Sequence, residues 1–127
     1  MRISDLAWQA GVGVETIRYY ERRGLVDQPG RGPGGEIRRY GPGHLDRLRA
    51  IRRAKAAGFT LDEVAQLIAL DRDNDRARAR DMARARLAGI DEAMARLQAA
   101  RQVLQRLEGA CAASDSGPCP ILEAFLD

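Results

Sequence analysis

Ile3-Ser4-Asp5-Leu6-Ala7-Trp8-Gln9-Ala10-Gly11-Val12-Gly13-Val14-Glu15-Thr16-Ile17-Arg18-Tyr19-Tyr20-Glu21-Arg22-Arg23-Gly24 is the stretch that decides the fold. Ile3, Leu6, Ala7 and Ala10 recur at helical spacing, and Ser4 is placed to cap the first helix. Gly11-Val12-Gly13 breaks that pattern. Val14 to Arg23 reads as a second short helix, stopped by Gly24. Two short helices joined by a glycine turn form a helix-turn-helix candidate, whose second helix enters the major groove. Thr16, Arg18, Tyr19, Tyr20 and Arg23 supply hydroxyls and guanidinium groups suited to phosphates and guanine edges. A purely structural role would instead bury Ile17 and one tyrosine and leave the arginines solvated.

Outward from this stretch, Leu25 to Tyr40 carries Pro29, Gly30, Gly32, Pro33, Gly34 and Gly35, a composition that excludes helix. Leu25-Val26 and Ile37-Arg38-Arg39-Tyr40 flank the glycines and are expected to pair as two short strands, a wing beside the helix-turn-helix. Arg31, Arg38 and Arg39 place positive charge on it, and Tyr40 adds a hydroxyl for a phosphate. A third helix is predicted from His44 to Ala57, closed by Gly58, with His44 solvent-exposed at its start. Thr60 and Glu63 have capping-box spacing, and a fourth helix is predicted to run to about Leu70. Charge follows the same division. Residues 1–58 hold 12 Lys and Arg against 6 Asp and Glu, whereas residues 59–127 hold 9 against 12. The basic excess lies on the half that carries the candidate DNA surface.

Between Asp71 and Asp75 the chain is polar, and from there to Glu108 it has no proline and only one glycine, Gly89. Ala83, Leu87, Ile90, Met94, Leu97 and Leu104 follow alternating steps of four and three, with Arg101 interrupting the seam. Such a seam pairs with another helix. The chain has no second helix of like length, so the expected partner is the same helix in another copy, a homodimer. A helix of roughly 50 Å would overhang a module this small. Extended backwards, the register reaches Arg80 and Arg76. Either the seam has ended there or these cations face something anionic.

The only two cysteines, Cys111 and Cys119, lie in the loop Gly109 to Ile121 with seven residues between them. The start of the chain shows no apolar leader pattern and no run of membrane-spanning length, so a cytoplasmic protein with no membrane partner is expected. In a reducing compartment the two cysteines are free thiols, metal ligands or a redox switch rather than a structural disulfide. No nucleophile, base and orienting group stand out as a catalytic set, and an enzyme is not expected.

These residues resemble the MerR family of dimeric transcriptional regulators. The resemblance rests on Ile3 to Ala7, Val14 to Leu25, Ile37 to Tyr40, Gly58-Phe59-Thr60-Leu61-Asp62-Glu63-Val64, and the Cys111–Cys119 loop followed by Pro120-Ile121-Leu122. It implies a mainly α protein: a winged helix-turn-helix DNA-binding domain with linking helices over residues 1–70, a long antiparallel coiled-coil dimerisation helix over 71–108, and a metal-binding loop and tail over 109–127. It also implies double-stranded promoter DNA and RNA polymerase as partners. The unliganded dimer would repress, and the liganded dimer would activate by bending and underwinding promoter DNA, a ligand-driven form of indirect readout.

Two thiolates suit a soft ion. Cys111 and Cys119 can hold linear Cu(I), Ag(I), Au(I) or Hg(II), whereas Zn(II) needs about four ligands. The seven-residue loop resembles the copper-type sensors of the family. Gly35 to Gly41 is more similar to the mercury-type sensors, which use a third cysteine at the start of the partner's dimer helix. Arg76 stands at about that position. Burying two thiolates with one monovalent cation leaves a net negative charge, which Arg76, with Arg80, would offset from the partner subunit. The alternatives are a Hg(II)-responsive regulator of the same family and a redox sensor that forms a Cys111–Cys119 disulfide.

Overall fold

The computed structural model describes residues 1–30, 33–35 and 39–126. It contains α1 (Ile3–Ala10), α2 (Val14–Arg22), α3 (Pro42–Ala56), α4 (Leu61–Arg72), α5 (Arg76–Ala112) and α6 (Pro120–Ala124). The chain divides into two compact units, Met1–Asp81 and Met82–Asp127. No helix among the described residues is long and apolar enough to cross a membrane.

In the first unit, α1 packs on α2 and α3, and α3 packs on α4. The core between them is small and aliphatic, centred on Leu6, Ile17, Leu25 and Ile51, all fully buried. Burial of such a side chain contributes about 1.5–3 kcal/mol. Ala7, Ala10, Tyr20, Val26, Tyr40, Leu45, Leu48 and Val64 complete it. The spacing of these residues in sequence is helical within α1 and α3, so each helix presents one apolar stripe inward.

The turn between α1 and α2 depends on Gly11. Its φ is +71°, a left-handed conformation that ends α1. Val12 N–H then bonds to Ala7 O at 3.0 Å, closing the helix end. A Cβ on Gly11 would stand 2.8 Å from Arg52 Nη1, which itself reaches Ala10 O at 3.4 Å. Arg52 thus ties α3 to the carbonyl end of α1. At the start of α4 the expected capping box is present: Glu63 N–H donates to Thr60 Oγ1 at 3.2 Å, and Thr60 N–H donates to Glu63 Oε1 at 2.9 Å.

Three expectations are corrected. Ser4 lies inside α1 rather than capping it; the cap contact is made by Asp5, whose carboxylate accepts the Arg2 N–H at 3.1 Å. A carboxylate in the first turn also complements the helix dipole better than a neutral hydroxyl. His44 is half-buried rather than exposed: α3 begins at Pro42, and His44 Nδ1 accepts the Gly41 N–H at 3.0 Å. No strand occurs among the described residues, so Leu25-Val26 is not one arm of a hairpin but a buried bend. Tyr40 exchanges backbone hydrogen bonds with Met1 instead, Tyr40 N–H to Met1 O at 2.9 Å and the Met1 amine to Tyr40 O at 2.7 Å. Ile37 and Arg38, the rest of the expected second arm, and Arg31 lie outside the described residues.

In the second unit α5 has no buried residue. Leu87, Met94, Leu97 and Leu104 of the seam are 49–66% exposed, and Ile90 is half-buried. After Ala112 the chain turns through Ala113 to Pro118 and re-enters a helical turn at Pro120.

Candidate DNA interface and metal centre

Helix α2 divides its side chains cleanly. Ile17 and Tyr20 enter the core, whereas Arg18 and Tyr19 are exposed and Thr16 is half-buried. This split follows from helical spacing, since positions three apart share a face and neighbours do not. Tyr19 and Tyr20 remain near each other, ring centroids 6.2 Å apart. The guanidinium carbons of Arg22 and Arg23 lie 5.9 and 5.7 Å from the Tyr19 ring centre, within cation–π range.

Arg23, the C-cap of α2, is not a simple solvated cation. Its Nη1 donates to the Tyr19 hydroxyl at 2.9 Å, and its Nη2 forms a close ion pair with Asp62 on α4. Tyr40 is nearly buried, and its hydroxyl donates to Glu21 Oε1 at 2.9 Å. Burial, then the hydrogen bond to Glu21, pushes the Tyr40 phenol up to about 12. Its ring also meets His44 edge-on, with centroids 5.0 Å apart. Arg39 is exposed; Arg38 lies outside the described residues. The structure therefore adds Glu21, Asp62 and His44 as partners of the candidate residues. Glu21 and Asp62 carried no signal in the sequence, because they lie 19 and 39 residues from Tyr40 and Arg23, whereas His44 is only four residues from Tyr40.

The cysteine pair is built by two helix ends. Cys111 sits in the last turn of α5 and is half-buried; Cys119 is exposed and is the N-cap of α6. Both are free thiols, close enough for each to influence the other's ionisation. The two sulfurs are not equivalent. The backbone amides of Leu122 and then Ile121 pull the Cys119 pKa down. The adjacent Cys119 charge, then burial, pushes the Cys111 thiol up. Pro120-Ile121-Leu122 turns at once after Cys119 and opens α6 with that residue as its N-cap. No group of three or more His, Cys, Asp or Glu able to hold a metal occurs among the described residues. Two thiols are a donor set suited to a soft ion of low coordination number, whereas tetrahedral Zn(II) takes about four ligands. Arg76 and Arg80 are exposed in the first turns of α5.

Residues 1–70 match the family described as MerR HTH family regulatory protein, and residues 45–107 match the family described as MerR, DNA binding. The chain belongs to the MerR family of transcriptional regulators. As a MerR-family protein it is a DNA-binding regulator and not an enzyme. It is 40% identical over 129 residues to the HTH-type transcriptional regulator HmrR of Rhizobium leguminosarum bv. viciae, covering 100% of this chain and 98% of that one. Among solved structures it is similar to PbrR691 of Ralstonia metallidurans CH34 in complex with lead(II), at 36% identity, TM-score 0.73 and 99% coverage of both chains. It is likewise similar to MerR of Bacillus megaterium MB1 in complex with mercury(II), at 32% identity, TM-score 0.72 and 100% coverage of both. The two family matches end at residue 107, before Cys111. Likeness across the cysteine loop is carried by these whole-length relatives.

Proposed function

We propose that this MerR-family protein is a metal-responsive homodimer that represses a promoter without ligand and activates it, by distorting the DNA, when a soft ion binds Cys111 and Cys119. The observation that carries the reading is the thiol pair itself: Cys111 in the last turn of α5 and Cys119 at the head of α6 are both free and close enough for the Cys119 charge to raise the Cys111 thiol. A linear, two-coordinate ion of the Cu(I), Ag(I) or Au(I) type suits that donor set best. Hg(II) is the second reading, favoured by the whole-length similarity to a mercury(II)-bound relative. The bound ion would supply charge and a rigid link between the two helix ends. The chain's own part is to hold the thiolates and to couple their geometry to the DNA surface.

On the DNA side the exposed set Thr16, Arg18, Tyr19, Arg23 and Arg39 would face the duplex, with Tyr20 and Tyr40 supporting it from the core. Arg38 would join it from the segment outside the described residues. The exposed apolar seam of α5 supports self-association, because large apolar side chains spaced along one helix stripe gain most by covering each other. Arg76 and Arg80 of the partner subunit would offset the negative charge left by two thiolates and one monovalent cation. Activation requires only that the ion bind the DNA-distorting conformation better than the repressing one. RNA polymerase would then engage the reshaped promoter.

The test is anaerobic titration of the reduced protein with Cu(I) and with Hg(II), each against a competing chelator, with promoter DNA present and transcription as readout. One Cu(I) per cysteine pair together with induction supports the monovalent reading. Induction by Hg(II) alone favours the second. If neither ion binds tightly or induces, the metal reading fails, and activation by a Cys111–Cys119 disulfide formed on oxidation is the remaining possibility to measure.

A further inference from the structure

Arg23 is engaged at both ends of its guanidinium fork. One nitrogen donates to the hydroxyl of Tyr19, four residues earlier on the same helix face, and the other meets the Asp62 carboxylate, 39 residues later in sequence. Asp62 is the second residue of α4, directly behind the Thr60 cap that sets where α4 begins. Tyr19 is the exposed tyrosine of α2, with 41% of its surface open. Left alone, an exposed tyrosine and an exposed arginine would each sample several rotamers. Here the planar fork joins them into one arrangement that a lysine's point charge could not reproduce. The arrangement is anchored on a different helix from the one that reads DNA.

We propose that Arg23 is a positioning residue: braced by Asp62 of α4, it fixes where the recognition helix presents Tyr19 to DNA, and so makes that placement depend on α4. The inference rests on the reading that α2 faces DNA. An exposed ion pair contributes little to stability, so the consequence of the pair is orientation rather than folding. It also means that Arg23 does not act as a free phosphate contact. Its charge is shared with a carboxylate, and a shift of α4 would release it, changing the rotamer of Tyr19 and freeing a cation at the same surface. Movement of α4 would thereby reach the DNA-facing side chains without any change in the backbone of α2.

The experiment is a double-mutant cycle on the full-length protein with Asp62→Ala and Tyr19→Phe, reading operator affinity and its salt dependence, with the Tyr19 side-chain rotamer followed by NMR in the free protein. Asp62→Ala is expected to weaken operator binding by about two- to fivefold, and the effect is expected to vanish when Tyr19 is already Phe. The salt slope of Asp62→Ala is expected to steepen by about one ion as Arg23 becomes available to phosphate. Asp62→Glu should restore affinity, and Asp62→Ala should lower thermal stability only slightly, by the loss of one first-turn carboxylate and an exposed ion pair. Additive losses in the cycle, or an unchanged salt slope, overturn the proposal. If the wild-type protein fails to bind promoter DNA, the DNA-facing reading of α2 is what fails. The brace is then judged by NMR alone: a single Tyr19 rotamer that averages in Asp62→Ala supports it, and an unchanged Tyr19 refutes it.

Discussion

Replacing Tyr40 with Phe isolates one buried polar contact and gives it a measurable pH signature. The Tyr40 hydroxyl donates to Glu21 Oε1 at 2.9 Å from a nearly buried position. A hydrogen bond to a charged group contributes about 1.5–3 kcal/mol when well desolvated. Glu21 is only half-buried and regains water when the phenol is lost, so the expected cost of Tyr40→Phe at pH 8 is about 1–2 kcal/mol. The same contact predicts the alkaline behaviour. Burial and Glu21 push the Tyr40 phenol up to about 12 from an ordinary value of 10.0. The folded state therefore holds this proton more tightly than the unfolded state. Its stabilisation is complete below pH 10 and is lost as pH rises towards 12. By pH 11 the loss amounts to about 1.4 kcal/mol before allowance for solvent screening, and about 1 kcal/mol with it. Urea unfolding of both proteins at pH 8 and pH 11, at one fixed protein concentration, measures the gap between them. The gap should be about 1–2 kcal/mol at pH 8 and should shrink by about 1 kcal/mol at pH 11. Other titrating groups are common to both proteins and cancel in the difference. A gap near zero at pH 8, or one that does not change with pH, would refute the account of Tyr40.

Gly11→Ala should destabilise the first unit by about 1–3 kcal/mol in denaturant unfolding, because the residue needs φ +71° and its new Cβ would meet Arg52 Nη1 at 2.8 Å. Thr60→Ala removes the side-chain acceptor of Glu63 N–H and should cost about 1 kcal/mol, read as a lower urea midpoint with unchanged slope. In the metal-free reduced protein, Cys119 should be alkylated by iodoacetamide faster than Cys111 at neutral pH, since its lowered pKa leaves more thiolate; peptide mass mapping over a time course decides the order, and equal rates would contradict the opposite shifts of the two thiols. Leu97→Asp on the exposed seam of α5 should shift the sedimentation equilibrium towards monomer while leaving helix content unchanged.

Much of the helical layout was legible because its signals are local. Apolar spacing marked α1, α2 and α3, glycines marked their ends, and Thr60 with Glu63 marked the start of α4 within a single turn. The cysteine pair was legible as a pair for the same reason: a spacing of seven residues limits how far two thiols can separate. Where local signals competed, reading by residue type fell short. Ser4 and Asp5 are both good helix-start residues, and only the backbone shows that Asp5 accepts the Arg2 N–H. Leu25-Val26 has strand-like composition, yet both side chains are taken by the core and the chain bends there.

By itself, the sequence determined the helix-turn-helix, the apolar stripe of α5 and the presence of two cysteines and no others, because period, turn residues and residue counts are properties of the chain in one dimension. Tertiary structure decided which side chains are free to act. Thr16, Arg18, Tyr19, Tyr20 and Arg23 are adjacent in sequence and similar in chemistry, but packing sends Tyr20 inward, leaves Tyr19 exposed and binds Arg23 to an aspartate 39 residues away. It also made Cys119 and Cys111 unlike each other, the backbone after Cys119 lowering that thiol while the Cys119 charge raises Cys111. The physical reason is range. Propensity and periodicity act over a few residues, whereas burial, ion pairing and the shift of a pKa depend on whatever the fold brings within a few ångströms, whatever its distance along the chain.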